Sequence, residues 1–154
     1  MISYGFFLPA EDAIKIRARN LNVSISEYLL NEMNDFGVEE EDMEKFEEDP
    51  IKYWDDNDHG LTFEVFDNEN LDSLTGYARG NKPIVFIGIT KRFDLGSVTK
   101  LYDVMDEIDK DETKKAAEEL GFEGYKFTYY IMGEDMRFDR LGKNDIQKLR
   151  LKKL

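Results

Sequence analysis

The chain has 154 residues, 41% of them hydrophobic and 13% aromatic, which is enough to build one sizeable folded core. It has a net charge of −13 and no cysteine, so disulfide frameworks, thiolate metal sites and cysteine nucleophiles are excluded. No apolar run is long enough to span a membrane and the first residues do not resemble a signal peptide, so we expect a cytoplasmic protein without a membrane segment.

The first predicted elements are a strand and a helix. Apolar side chains alternate with others over residues 2–8, which is the period of a half-buried strand. Pro9 stops this strand and suits a first helical position, near whose positive end Glu11 and Asp12 are favourable. An apolar stripe that runs as far as Leu21 completes the prediction of a first helix.

A capping box predicts a second helix. Ser24 and Glu27 have the spacing at which the serine oxygen accepts a backbone N–H of the first turn and the glutamate reaches back. Ile25, Tyr28 and Leu29 then form the buried face of the helix.

The run from Ala18 to Leu29, A-R-N-L-N-V-S-I-S-E-Y-L, resembles the second-helix region of the ribbon-helix-helix family. The resemblance covers residues 2–33, about a fifth of the chain, with Asn22 at the turn position where the family commonly has glycine. In that family two chains pair their first strands into a ribbon that enters the DNA major groove. The amino termini of the second helices hold backbone phosphates.

By position, the resemblance implies a homodimer with DNA-binding residues on the ribbon and on the second helix. Ser3, Gly5 and Phe7 would be the outward ribbon residues, and Ser24 would contact a phosphate. None of the three ribbon positions is Arg, Lys, Asn or Gln, the side chains that normally read bases in the major groove.

The acidic residues are concentrated in one quarter of the chain. Residues 35–72 hold 16 Asp or Glu and 2 Lys, so their net charge is −14, whereas the rest holds 18 acidic and 19 basic residues. A field of this size repels nucleic acid and attracts basic partners, including protein faces that normally hold nucleic acid. The same composition is also typical of a solvated linker.

A short helix is predicted over residues 39–48, with Met43 and Phe46 on one side and Pro50 at its end. The apolar residues 51–54 are expected to fix the segment to the core. The predicted protein-interaction residues are the acidic side chains around these two stretches: Glu39, Glu40, Glu41, Asp42, Glu44, Glu47, Glu48, Asp55, Asp56 and Asp58.

Residues 55–60, D-D-N-D-H-G, loosely follow the opening of a calcium loop. The twelfth position of that loop needs a bidentate glutamate and is Phe66 here, so a polar turn is predicted instead of a metal site. His59 is the only histidine, which excludes a two-histidine zinc site and makes a Ser-His-Asp triad improbable.

The remaining sequence predicts strands around a helix. Residues 61–66 alternate as a strand, and residues 67–82 form a polar, glycine-bearing connection. Residues 83–89 are apolar on both faces, as in a central strand. A helix capped by Ser97 continues or restarts before Gly121, and residues 125–131 form the last strand.

From Arg140 to Leu154 there are six basic residues and one Asp, so this tail is expected to fold back on acidic residues or to contact phosphates. The predicted organisation is a strand-helix-helix unit (1–34), an acidic insert (35–60), a small antiparallel α+β domain (61–132) and a basic tail (133–154).

The predicted fold class is therefore α+β, a strand-helix-helix unit followed by a ββαβ unit, in one of two arrangements. In the first, the initial strand pairs with its twin in a ribbon-helix-helix-like dimer and leaves a small α+β domain behind it. In the second, it joins the other strands in one βαββαβ, ferredoxin-like sandwich.

For function, we expect a non-enzymatic regulatory protein that binds another macromolecule, as a dimeric repressor or antitoxin does. The alternative is an acidic inhibitor of the immunity, anti-defence or nucleic-acid-mimic type, which covers a basic face of a partner protein. Duplex DNA and a basic protein are the expected partners. No cofactor is expected, because no nucleophile-base pair or metal cluster has a working spacing.

Overall fold

The computed structural model describes residues 2–32, 37–57, 69–77, 83–92, 98–132 and 138–140. These residues form an α+β fold with one antiparallel sheet in the order β2-β3-β1-β4-β5. Its elements in chain order are β1 (Ile2–Pro9), α1 (Ala10–Leu21), α2 (Ile25–Asn31), a 3₁₀ turn (Glu40–Asp42), α3 (Met43–Glu48), α4 (Pro50–Asn57), β2 (Asp72–Tyr77), β3 (Pro83–Lys91), α5 (Val98–Glu107), α6 (Lys110–Glu119), β4 (Thr128–Met132) and β5 (Phe138–Arg140). No helix in these ranges is long and apolar enough to cross a membrane.

β1 lies in the interior of the sheet. It pairs with β3 along its whole length, from Ile2 opposite Lys91 to Pro9 opposite Ile84. Its other edge pairs with β4, beginning with Ile2 opposite Ile131. Residues 2–5 of the strand therefore have strand neighbours from their own chain on both edges. The second predicted arrangement, a single sandwich, is the observed one.

One face of the sheet carries the helices and the core. Tyr4, Phe6 and Leu8 are buried on this face, and the register places Val85 and Ile87 of β3 beside them. Because alternate residues of a strand point to the same side, the 2–8 alternation predicted this face correctly. The main cluster joins these strands to buried residues of α1, α2, α3, α4 and α6, including Ile14, Tyr28, Leu29, Phe46, Trp54 and Ala117.

The opposite face carries an aromatic cluster over a pair of glycines. The ring of Phe7 lies 5.1 Å from that of Phe86 and 5.0 Å from that of Tyr130, measured between centroids. Gly5 faces Gly88 across β1 and β3, and the tip of the Phe86 ring covers both. An ideal Cβ on Gly88 would lie 2.3 Å from the Tyr4 carbonyl oxygen. The two backbones can approach this closely only because neither residue has a side chain.

The prediction that the ribbon positions face outward is wrong for this fold. Ser3 is fully buried, and its hydroxyl lies 2.8 Å from the Thr90 hydroxyl in a hydrogen bond. Gly5 is also buried, and Phe7 is half-buried in the aromatic cluster. Ribbon residues read base edges from a strand face that is exposed. The face that carries these three positions is covered in this fold.

The two helices predicted on either side of Asn22 are observed, and the first begins one residue later than predicted, because Pro9 is the last residue of β1 and the N-cap of α1. Pro9 precedes the first residue of α1, and Asn22 ends the helix in the left-handed conformation with φ of 56°. Asparagine tolerates this conformation better than most residues. It can therefore occupy the turn position at which the ribbon-helix-helix family commonly has glycine. The Ser24 hydroxyl accepts a hydrogen bond from the Glu27 backbone N–H at 3.2 Å, so Ser24 caps α2.

The predicted third helix restarts rather than continues. α5 ends at Glu107, and Asp109 caps α6 by accepting from the Glu112 backbone N–H at 3.1 Å. Two side chains of α1 bind the far end of α6: Arg17 donates to the Leu120 carbonyl at 3.0 Å and Asn20 to the Glu119 carbonyl at 3.2 Å. These donors satisfy carbonyls that a helix end leaves free.

Other predicted boundaries differ from the observed ones. β2 lies inside the stretch predicted as a connection, whereas the predicted strand 61–66 lies outside the described residues. Pro50 begins α4, and residues 55–57, predicted as a turn, complete that helix. β1 joins the same sheet as β2 to β5, and β5 lies beyond residue 132.

Replacement of Gly88 by alanine tests the close approach of β1 and β3. The new Cβ would overlap the Tyr4 carbonyl, so we expect a loss of about 3 kcal/mol in the free energy of unfolding, the upper range for overpacking. Gly37→Ala is the control, because a Cβ on Gly37 meets no atom within 4 Å. Equal stability of the two variants in chemical denaturation would contradict the described register.

The Ser24→Ala substitution tests the α2 cap. Loss of the hydroxyl acceptor leaves the Glu27 N–H without its partner, so we expect a destabilisation of about 1 kcal/mol. Asn31→Ala, at an exposed position at the end of the same helix, should change stability by less than about 0.5 kcal/mol. An unchanged melting temperature for Ser24→Ala would remove this cap as a source of stability.

Candidate functional site

Residues 39–57 are rich in Asp and Glu and are called the acidic unit below. They form folded helices attached to the core. Phe46 is 0% exposed, Trp54 3% and Tyr53 9%, and all three belong to the main hydrophobic cluster. The rings of Phe46 and Tyr53 meet edge to face with centroids 5.6 Å apart. Burial of three aromatic side chains contributes several kcal/mol of favourable transfer free energy. The prediction that residues 51–54 fix this segment to the core is confirmed for Tyr53 and Trp54.

The carboxylates of the acidic unit lie mostly at its surface. The unit has ten Asp or Glu residues and two Lys, so its net charge is −8. Asp42 and Asp55 are half-buried, and Asp58 lies outside the described residues. None of the exposed predicted interaction residues forms an ion pair with a described residue: Glu39, Glu40, Glu41, Glu44, Glu47, Glu48 and Asp56.

Short-range hydrogen bonds hold the helices of the acidic unit to one another. The Tyr53 hydroxyl donates to the Asp42 carboxylate at 3.3 Å, which connects α4 to the 3₁₀ turn. The Asp49 carboxylate accepts from the Lys52 backbone N–H at 3.3 Å, near the start of α4. Negative charge is favourable there because the helix dipole is positive at its start. The surface carboxylates therefore occupy fixed positions on a folded support.

A groove of about 530 Å³ lies where α4 meets the starts of α1 and α2. Pro9, Ile25, Pro50 and Ile51 supply its apolar walls. Its charged lining comes from two regions of sequence: Glu11 and Lys15 on α1, and Asp49, Lys52 and Asp55 in the acidic unit. Half of the lining residues are therefore charged, so the groove is more polar than a typical small-molecule site.

One ion pair sits at the α1 side of the groove. Lys15 Nζ lies 2.8 Å from Glu11 Oε1, one helical turn apart. The hydrogen bond and the charge of Glu11 raise the pKa of Lys15. Since the Lys15 charge is already matched by Glu11, the acidic unit supplies the remaining charged lining: the Asp49 and Asp55 carboxylates and the Lys52 ammonium.

Two polar atoms of the groove-lining side chains are buried without a hydrogen-bond partner. They are the Trp54 indole nitrogen, Nε1, and the Asp55 oxygen Oδ1. An indole N–H only donates and a carboxylate oxygen only accepts, so each needs the opposite kind of group. Leaving such an atom unpaired costs about 1–3 kcal/mol. Elsewhere in the described part of the chain, the Thr113 hydroxyl is also buried without a hydrogen-bond partner.

The structure does not bring the predicted DNA-binding residues together. Ser24 is exposed at the start of α2, which packs against α1 and α4 on the helical side. Ser3, Gly5 and Phe7 lie on the opposite face of the sheet. Over the described ranges, no group of three or more His, Asp or Glu side chains is placed to hold a metal ion. Comparisons with protein-family models, curated proteins and solved structures give no match for this chain.

The groove itself was not predicted from the sequence. Its walls come from helices distant along the chain, so no local pattern contains it. The available signal was Trp54, the only tryptophan, beside Asp55 within a segment otherwise expected to be a plain anchor.

Phe46→Ala tests whether the acidic unit is held by its buried side chains. Removal of this fully buried ring should destabilise the unit by about 3–5 kcal/mol. Amide hydrogen exchange should then accelerate in residues 39–57 more than in β1 and β3. Met43→Ala is the milder comparison, because Met43 is only half-buried at the edge of the core. Uniform exchange across the acidic unit and sheet would contradict a separately anchored unit.

Proposed function

We propose that the protein is a regulator that acts by binding a basic protein with its acidic unit. The observation that supports this is a set of surface carboxylates with no ion-pair partner among the described residues, carried on helices whose aromatic side chains are buried. A solvated linker needs no core contacts, whereas Phe46, Tyr53 and Trp54 are buried in the main cluster. The proposed activity is the masking of a basic face, and it requires no bond-making chemistry.

A fixed array of carboxylates has a thermodynamic advantage over a mobile acidic tail. Its backbone is ordered before the partner arrives, so less conformational entropy is lost on binding. Concentrated charge of one sign also accelerates encounter with an oppositely charged surface. The net charge of −8 over residues 39–57 is large enough for both effects to favour a basic partner.

Binding to duplex DNA through a β1 ribbon is less well supported. That mode needs a strand with an edge free to pair with a second copy, whereas β1 pairs with β3 along its whole length and with β4 over residues 2–5. The acidic unit would also repel phosphates. Of the two kinds of regulator predicted from the sequence, we therefore propose the acidic inhibitor.

The partner is to be identified by affinity capture from the native host, with nuclease added to one of two parallel samples. We expect a protein with a basic surface to be retained in both samples. Loss of the captured protein after nuclease treatment, together with specific binding of the purified chain to a duplex, would favour a repressor instead. Binding of the purified partner should weaken steeply as salt is raised, because exposed charges are screened.

A charge-neutralising variant tests the surface itself. The triple substitution Glu44→Gln, Glu47→Gln and Glu48→Gln should weaken binding of the purified partner about tenfold, since each exposed charge contributes up to about 1 kcal/mol. The measurement is titration calorimetry at fixed salt.

The matched control carries the same change of net charge on exposed glutamates outside the acidic unit: Glu107→Gln, Glu118→Gln and Glu123→Gln. We expect its affinity to stay within about twofold of the parent chain. If both triple variants weaken binding equally, net charge rather than the acidic unit determines affinity, and the proposal is wrong.

A further inference from the structure

We propose that residues 141–154 of the chain cover the face of the sheet opposite the helices, called the second face below. The first face is the one that carries the helices. This inference goes beyond the proposed function, because it concerns a contact within the chain. It starts from the composition of the second face and from the place where the described sheet ends, at Arg140 of β5.

The second face has the composition of a covered surface. It is formed by residues 3, 5 and 7 of β1, by alternate residues of β3 between Ile84 and Thr90, and by Thr128 and Tyr130 of β4. None of these positions is charged and none is exposed. A sheet face that meets water normally carries polar side chains at alternate positions. The composition therefore indicates that the second face packs against protein.

The described helices do not supply that cover. Each of the six helices contributes buried side chains to the two clusters on the first face, which contain Phe6 and Tyr4 respectively. Phe86 belongs to neither cluster, yet it is 1% exposed. The rings of Phe7 and Tyr130 flank it and are themselves half-buried. Because a single chain buries the Phe86 ring, we assign the cover to the chain itself and not to a second copy.

Two ranges outside the described residues are longer than five residues, 58–68 and 141–154. The first lies between Trp54 and Leu71, and both of these belong to the main cluster on the first face. The second follows Arg140, which lies opposite Tyr130 in the pairing of β4 with β5. Tyr130 contacts the ring of Phe7 on the second face. The chain therefore leaves the described sheet beside the face that needs a cover.

Residues 141–154 are long enough to reach the centre of the second face. In the strand order, β3 with Phe86 lies three strand spacings from β5, which is about 14 Å. The segment has 14 residues, which span about 21 Å as a helix and up to about 46 Å when extended. It can therefore reach Phe86 in either conformation.

The composition of the segment suits an apolar face. It holds five Leu or Ile residues, five Lys or Arg residues and one Asp. Burial of the Leu and Ile side chains contributes more than exposed ion pairs with the acidic unit would, because solvent screens such pairs. The Lys and Arg heads can stay in water while their stems lie along the protein surface. The acidic unit, which packs on the first face, is then left open to a partner.

A nitroxide spin label tests the position of the segment in the full chain. The chain has no cysteine, so Gln147→Cys gives a single attachment site. We expect the amide NMR signals of Gly5 and Gly88 to lose most of their intensity. The signals of Glu44 and Asp56 in the acidic unit should keep theirs. Loss at the acidic unit instead, or no selective loss at all, would overturn the proposal.

A mixed sample separates contacts within the chain from contacts between copies. It combines isotope-labelled chain without the nitroxide and nitroxide-bearing chain without the isotope. We expect no intensity loss at Gly5 and Gly88 in this sample. A loss as large as in the doubly labelled chain would mean that a second copy covers the face, and the proposal would be wrong.

Thiol reactivity tests whether the apolar residues of the segment hold it on the second face. Ser3→Cys introduces a thiol at a position that is 0% exposed. Adding Ile146→Asp and Leu149→Asp should accelerate modification of this thiol at least about tenfold, because carboxylates are costly to bury on an apolar face. The matched control adds two carboxylates at polar positions of the same segment, Asn144→Asp and Gln147→Asp. Its rate should stay within about twofold of the Ser3→Cys chain.

Equal thiol reactivity of the two double variants would also overturn the proposal. Thermal unfolding verifies that each variant is folded at the reaction temperature. The spin-label measurement keeps every apolar residue of the segment, so it decides the question even if the Ile146→Asp and Leu149→Asp chain does not fold. Neither experiment involves the basic partner, so this proposal and the proposed function can fail independently.

Discussion

The pairing of β1 along both edges is the constraint on which the architecture depends. β3 holds one edge from Ile2 to Pro9, and β4 holds the other from Ile2 to Gly5. The strand also contributes to both faces of the sheet: Phe6 and Leu8 lie under the helices, and Phe7 lies in the aromatic cluster. Loss of β1 would therefore remove the sheet interior, the floor of the main core and part of the second face at once.

The Gly5–Gly88 contact shows how this interior position is maintained. Two strands with side chains on every residue would leave less room for Phe86 to lie across them. Without Cβ atoms at these positions, the ring packs directly over backbone and is 1% exposed. An aromatic ring that covers a strand glycine restores apolar contacts that the glycine cannot make. The second face of the sheet therefore depends on Gly5 and Gly88, which have no side chain, and on the Phe86 ring that covers them.

The acidic unit combines burial and charge through the helical period. In α3, Phe46 points inward while Glu44, Glu47 and Glu48 remain exposed. In α4, Tyr53 and Trp54 are buried and Asp56 is exposed. Each helix is short, so its stability comes from these core contacts more than from its own hydrogen bonds. The same packing that places carboxylates on the surface also brings α4 beside α1 and α2, and the groove is the space left between them.

Local chemistry allowed several features to be predicted from the sequence. The Ser24 cap, the end of α1 at Asn22 and the apolar strand after Pro83 each depend on residues a few positions apart. Features that depend on contacts between residues distant in sequence were harder to predict. The sequence pattern of β1 is compatible with an exposed ribbon and with an interior strand, and only β3 and β4 decide between them. β2 was missed because its sequence, D-S-L-T-G-Y, is polar and contains glycine. The helix before Pro50 ends as predicted, but the new helix that begins at Pro50 was not predicted.

The order of the strands also has a consequence for folding during synthesis. Ile2 is synthesised before one of its sheet partners, Ile131, which lies 129 residues further along the chain. Until then β1 can pair with β3 on one edge only, and α1 has no completed sheet to pack on. Chains dominated by such distant pairings fold slowly because a long loop must close before its contacts form. In the nascent chain, one edge of β1 therefore stays open until β4 has been made.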